Sequence, residues 1–208
     1  MSNHRYGKVQ FSKISTPSDK IPWYYSHQEL QRQLNAVCKN HTLKKVYVGL
    51  TGYLESFRHG QNDYDFSYLG GPIICLFDHT VVEICIHGMG MIQYRRIDRE
   101  KVKIESTKDF PPSTLFDGFD CFYDLSRQFE WSYEEQSVCA VLVDSTDCYP
   151  FSLESYDEEK AEKAIKTHSL PNGIHFQLAN GVDFGIYADD VEYYYIRLCK
   201  TEGDERDT

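Results

Sequence analysis

The chain is short of nearly everything that announces a function. Among its 208 residues there is no apolar run near the ~18 that a membrane span needs. Met1–Gln10 is polar and has no apolar core of a secretory leader, so none is expected. No Cys-x-x-Cys pair occurs among the seven cysteines, which are odd in number, so neither a disulfide framework nor a paired-thiol zinc site is indicated. Most of them sit in apolar runs such as Ile74-Cys75-Leu76 and Ile84-Cys85-Ile86, where a free thiol behaves as a small hydrophobe. A reducing, cytoplasmic compartment is therefore expected. The nucleophile-elbow, phosphate-loop and His-Glu-x-x-His signatures are missing too.

Positive charge is scarce outside the first fifty residues. That segment carries eight Lys/Arg against Asp19 and Glu29, a balance of +6; since the whole chain is at −10, the remaining residues carry −16. The best basic stretch, Arg95-Arg96-Ile97-Asp98-Arg99-Glu100-Lys101, is interrupted by its own acids. Phosphate backbones would be repelled by most of this surface, so no nucleic-acid partner is expected, and no membrane partner either. A protein partner, basic in character, is the expectation, with a homodimer as an alternative.

What the chain does have is aromatic and alternating. It holds 16 Tyr and 12 Phe with 41% hydrophobic residues, enough for a packed core. Ala179-Asn180-Gly181 is a turn signal between two alternating runs. A hairpin centred on Asn180 sets Phe176 opposite Phe184 and Ile174 opposite Ile186. About 100 residues earlier, a hairpin centred on Thr80 would set Leu76 opposite Ile84 and Ile74 opposite Ile86. A third strand follows each hairpin, at 91–97 and 191–198, and a strand precedes each meander, at 43–50 and 138–144.

Two helices are marked. Ser26-His27-Gln28-Glu29 and Ser155-Tyr156-Asp157-Glu158 read as capping boxes, predicting helices over 26–39 and 155–168. Asn40 is placed to end the first in a left-handed conformation. The reading is an α+β fold, mainly antiparallel, in two pseudo-repeated halves (1–105 and 106–199), each with a β-meander preceded by a helix. An acidic, disordered tail is expected at 200–208.

Three clusters are candidate sites. Cys75, His79, Cys85 and His87 hold metal-type donors, but His79 lies at the turn and the strands are apolar on both faces, so a buried layer is the better reading and no metal or cofactor is expected. Asp117, Asp120 and Asp124 share a face if 114–131 is helical, which makes a docking surface for a cationic protein. On the outer face of the second meander, the expected pairing sets Tyr187 opposite Tyr193, and Tyr195 opposite Gly185 in line with His175, with Asp189 and Asp190 at the adjacent turn. Tyrosine offers large rigid area with a polar tip, which suits a protein interface. The expectation is thus a non-catalytic binding module, an acidic inhibitor or immunity-type protein for a basic partner. The alternatives are an enzyme using His168, His175, Asp183 and Glu83 as scattered acid–base groups, or a homo-oligomeric structural protein.

Overall fold

The computed structural model describes residues 6–11, 21–49, 54–58, 63–69, 72–107, 121–125, 135–150, 153–188 and 193–200. Their strands are β1 (Tyr6–Phe11), β2 (Thr42–Gly49), β3 (Leu54–Arg58), β4 (Asp63–Leu69), β5 (Ile73–Phe77), β6 (Thr80–Gly88), β7 (Met91–Asp98), β8 (Val102–Thr107), β9 (Cys121–Asp124), β10 (Gln136–Thr146), β11 (Leu170–Leu178), β12 (Val182–Ala188) and β13 (Tyr193–Lys200), with helices α1 (His27–Cys38) and α2 (Glu158–Ile165). The fold is α+β, and every strand pairing is antiparallel. No described helix is long and apolar enough to cross a membrane.

The strands follow one path, β3-β4-β13-β12-β11-β10-β2-β5-β6-β7, and β9, β1 and β8 extend from β2. The path bends at β10. Gln136 and Ser137 pair with β2, whereas Val138 to Thr146 pair with β11, and a register shift at Cys139 follows directly on the change of partner. A bulge of this kind turns a strand from one sheet into the next. The two resulting sheets enclose a shared core, in which Val46, Ile73, Val82 and Ile84 meet Val141, Ile174, Phe176, Phe184, Ile196 and Leu198. Phe77 reaches across to Phe176 with ring centroids 6.2 Å apart.

Leaving β2 exposes one edge of β10 from Val138 onward, and α1 covers it. Val141 N–H donates to Asn35 Oδ1 at 2.9 Å, and Asn35 Nδ2 donates back to the Val141 carbonyl at 2.5 Å. Val143 N–H donates to Gln31 Oε1 at 2.9 Å. Side-chain amides thus stand in for a neighbouring strand along an edge that would otherwise invite pairing with another chain. On the same helix Leu30, Leu34 and Cys38 are fully buried at i, i+4, i+8 spacing. Ser26 caps it as expected, accepting from Glu29 N–H at 3.4 Å, and Asn40 ends it at φ 65°.

Four local expectations are corrected. The β5–β6 hairpin turns at Asp78-His79, so Ile73 faces Ile84, Cys75 faces Val82 and Leu76 faces Val81. Ile74 and Leu76 consequently point away from Ile84, into a second core with Tyr47, Val81, Ile97, Val102 and Phe122. The other end of the chain differs in a similar way. Tyr187 lies opposite Tyr195 and Gly185 opposite Arg197, two residues from the expected pairing and with the same faces kept. Helix α2 starts at Glu158, capped by Asp157, whose side chain accepts from Lys160 N–H at 3.1 Å. Tyr156, which the capping box would place in the helix, is instead drawn into a third apolar cluster with Met91, Ala161 and Leu170, its hydroxyl donating to Gly90 O at 2.9 Å. Within 114–131, residues Cys121–Asp124 form a strand rather than a helix.

Candidate functional site

On the second sheet, parity divides β12 cleanly. Phe184 and Ile186 enter the core while Asp183, Gly185 and Tyr187 face outward. The β11–β12 register is the expected one, with Phe176 opposite Phe184 and His175 opposite Gly185. His175 is therefore an outward residue in the middle strand, and its neighbours on that face include two glycines, Gly185 opposite it on β12 and Gly173 two residues back in β11.

Those glycines determine what happens next. A Cβ on Gly185 would lie 2.6 Å from the Tyr187 ring, and one on Gly173 would lie 2.9 Å from it. The absence of both side chains lets the Tyr187 ring lie flat over the strands and reach His175, with ring centroids 4.7 Å apart and planes at 88°. The ring that covers Gly185 is thus Tyr187, two residues on in the same strand, and not the cross-strand Tyr195 expected from sequence.

His175 is held from both flanking strands. Its Nε2 lies 2.7 Å from Asp144 Oδ2 on β10. Its Nδ1 lies 3.2 Å from Asp183 Oδ1 and 2.9 Å from the Tyr187 hydroxyl, both on β12. The side chain is only 16% exposed. Burial by itself lowers the imidazole pKa, but hydrogen bonds to Asp183 and Asp144 and the charges of both carboxylates outweigh it, and the net shift is upward. Protonated, Nδ1–H donates to Asp183 while Nε2–H donates to Asp144. Deprotonated at Nδ1, the ring accepts from the Tyr187 hydroxyl and keeps its Asp144 bond. In neither state is a ring nitrogen left for a substrate, so the arrangement fixes a charge and an aromatic ring in place.

The surrounding face is acidic. Among the described side chains, Asp183 and Asp144 share the face of His175 with one arginine, Arg197, and the backbone register continues that face through positions 63 and 65 of β4 and 55 of β3. Leu142, Asp144, Gln177 and Arg197 are exposed there.

The structure brings together His175 and Tyr187 of the sequence-proposed set, and strand parity keeps positions 193 and 195 on their face. Asp189, Asp190, Asp117 and Asp120 lie outside the described residues. Asp124 sits elsewhere: it is buried at the end of β9, with Lys45 Nζ 2.9 Å from its Oδ2, so the shared acidic helix face does not form. Asp144 was missed as a partner of His175, because the β10–β11 register that supplies it depends on two irregularities no local pattern reveals. Asp183 is a diagonal neighbour of His175 in the hairpin register, so this contact was available from the β11–β12 pairing alone.

The remaining acid–base candidates are dispersed. Glu83 is buried and paired with Arg95 between β6 and β7, and His168, at φ 52° beyond α2, lies 3.3 Å from Asp147. Cys75 is in the core, whereas Cys85 lies opposite Gln93 and His87 bonds to Gln93. In comparisons with known proteins, no family model matches the chain, and no significant match was found among curated proteins or solved structures.

Proposed function

We propose that the chain is a non-catalytic protein-binding module, whose outer face on the second sheet receives a basic partner protein. An acidic inhibitor or immunity-type role fits that chemistry. The observation that carries the reading is the outer sheet face on which Asp144 and Asp183 hold a rigid His175–Tyr187 pair beside exposed Leu142, Gln177 and Arg197. Rigid aromatic area at the middle of a charged rim supplies an anchor at low entropic cost, while the rim speeds encounter with a cation. The occupied nitrogens of His175 favour binding over general-base chemistry. A reducing, cytoplasmic setting belongs to the same proposal, since Cys38 and Cys75 are buried and desolvation raises both thiols, Cys38 to about 12. So does an origin by duplication, with β2-β5-β6-β7 and β10-β11-β12-β13 as the two halves.

The test is capture of partners by the tagged chain from its native cell extract at low and moderate salt. A near-stoichiometric basic protein, released as screening shortens the reach of the acidic face, is the expected result. A chain that retains nothing at either salt contradicts the proposal.

A further inference from the structure

A second cluster of chemistry lies at the corner where α1 runs into β2 and β5 turns into β6. Asp78 and His79 are the two residues of the β5–β6 turn, and His41 immediately precedes β2. Backbone bonds lock the corner: Asp78 N–H donates to Thr42 O at 3.1 Å, and His41 N–H donates to Cys38 O at 3.1 Å. Both imidazoles turn Nδ1 toward one carboxylate oxygen, Asp78 Oδ1, at 3.2 Å from His41 and 2.8 Å from His79. The two rings stack with centroids 3.5 Å apart. One ligand atom from each of the three residues falls within 4.8 Å of the others.

We propose that His41, Asp78 and His79 bind a divalent transition-metal ion of the zinc class. Metal–ligand bonds of ~2.0–2.2 Å in a tetrahedral site put donors ~3.3–3.6 Å apart. The observed separations from the carboxylate oxygen, 3.2 and 2.8 Å, fall ~0.1–0.8 Å short of that spacing. Closing the difference needs only small rotations of side chains that are 31–43% exposed. Two imidazole nitrogens with one carboxylate select a borderline ion such as Zn²⁺ over Mg²⁺ or Ca²⁺, which prefer all-oxygen shells.

The stacking supports the same conclusion. The stacked rings bring both Nδ1 atoms to the one carboxylate oxygen, so a single ion can meet all three donors. Three protein donors leave a fourth position for water or an incoming group. His79 also lines an open cleft of about 600 Å³ with Asp98, Arg99, Glu100 and Val102, which gives an ion an entry path. Of the four donors considered from sequence, only His79 takes part, since Cys75 is buried in the core and His87 is engaged by Gln93.

The test is zinc titration of the metal-stripped full chain by calorimetry, with Co²⁺ as a spectroscopic substitute. One ion per chain is expected, with a Kd of micromolar order, about 10⁻⁶ M, and the tetrahedral absorption of a cobalt site. His41→Gln and His79→Gln should each weaken binding by about tenfold or more, as loss of a ligand must. His168→Gln, which alters an exposed histidine elsewhere, should leave binding unchanged. Imidazole ¹⁵N–¹H spectra of the unsubstituted chain need no variant: the His41 and His79 nitrogens must shift when zinc is added. The proposal is overturned by no binding at millimolar zinc, by uptake that survives both His substitutions, or by a spectrum in which neither imidazole moves.

Discussion

Gly185→Ala is the sharpest perturbation of the outer face, because it adds one methyl group under a ring that has nowhere to go. The new Cβ would stand 2.6 Å from Tyr187 Cε2, 2.8 Å from its hydroxyl oxygen and 2.9 Å from Cζ, well inside ordinary contact. The ring must lift by close to an ångström, and its hydroxyl then leaves His175 Nδ1, 2.9 Å away in the native arrangement. Overpacking of this kind costs ~1–3 kcal/mol. The hydroxyl's bond to the neutral imidazole contributes a further ~1 kcal/mol. A total of about 2–4 kcal/mol lowers the melting temperature of a chain this size by ~4–16 °C. Thermal unfolding read by circular dichroism measures it. Tyr187→Phe removes the same hydrogen bond without the clash, so the two substitutions must be non-additive in a double-mutant cycle. A loss under about 0.5 kcal/mol for Gly185→Ala, or strict additivity with Tyr187→Phe, would refute the reasoning.

Three further predictions test other contacts. His175 has its folded pKa raised, so its contribution to stability is complete below the unfolded imidazole value and is lost as pH rises through the folded one. Asp144→Asn should move the His175 titration, followed by NMR, to lower pH, and an unmoved midpoint would deny Asp144 its part. Asn35→Ala strips partners from both Val141 backbone groups and should cost about 2–4 kcal/mol in denaturant unfolding. A surface-like cost below about 0.5 kcal/mol would mean that α1 does not seal the β10 edge. Glu83→Gln leaves the Arg95 guanidinium half-matched between β6 and β7, and should destabilise by about 2–4 kcal/mol, read from the same curves.

The sequence is readable where a turn signal and one-sided alternation coincide. Asn180-Gly181 fixed the β11–β12 hairpin residue for residue, because Ile174, Phe176, Phe184 and Ile186 can be buried together in one register only. Ile73-Ile74-Cys75-Leu76-Phe77 is buried at every position, so its pattern carries no parity and the β5–β6 register cannot be chosen from it. The true turn, Asp78-His79, has none of the usual glycine. For α2, Ser155 and Asp157 were both competent caps, and packing of Tyr156 decided between them. The His175 cluster was half legible: its tyrosine and its face followed from alternation, whereas Asp144 arrives through a bulged strand. The His41–Asp78 contact is a product of tertiary folding alone, as is the match of Asn35 to Val141.

The acidic face around His175 as a docking surface for a basic protein is the central claim, and charge reversal on it tests that claim most directly. Asp144→Lys with Asp183→Lys changes two positions on the face, while Glu159→Lys with Glu162→Lys changes the exposed side of α2 by the same net charge. Both pairs, and the unsubstituted chain, are used to capture proteins from the native extract. A basic protein should be retained by the unsubstituted chain and by the α2 variant, and lost by the face variant. Equal retention by all three, or loss only with the α2 variant, would place the interaction elsewhere and contradict it.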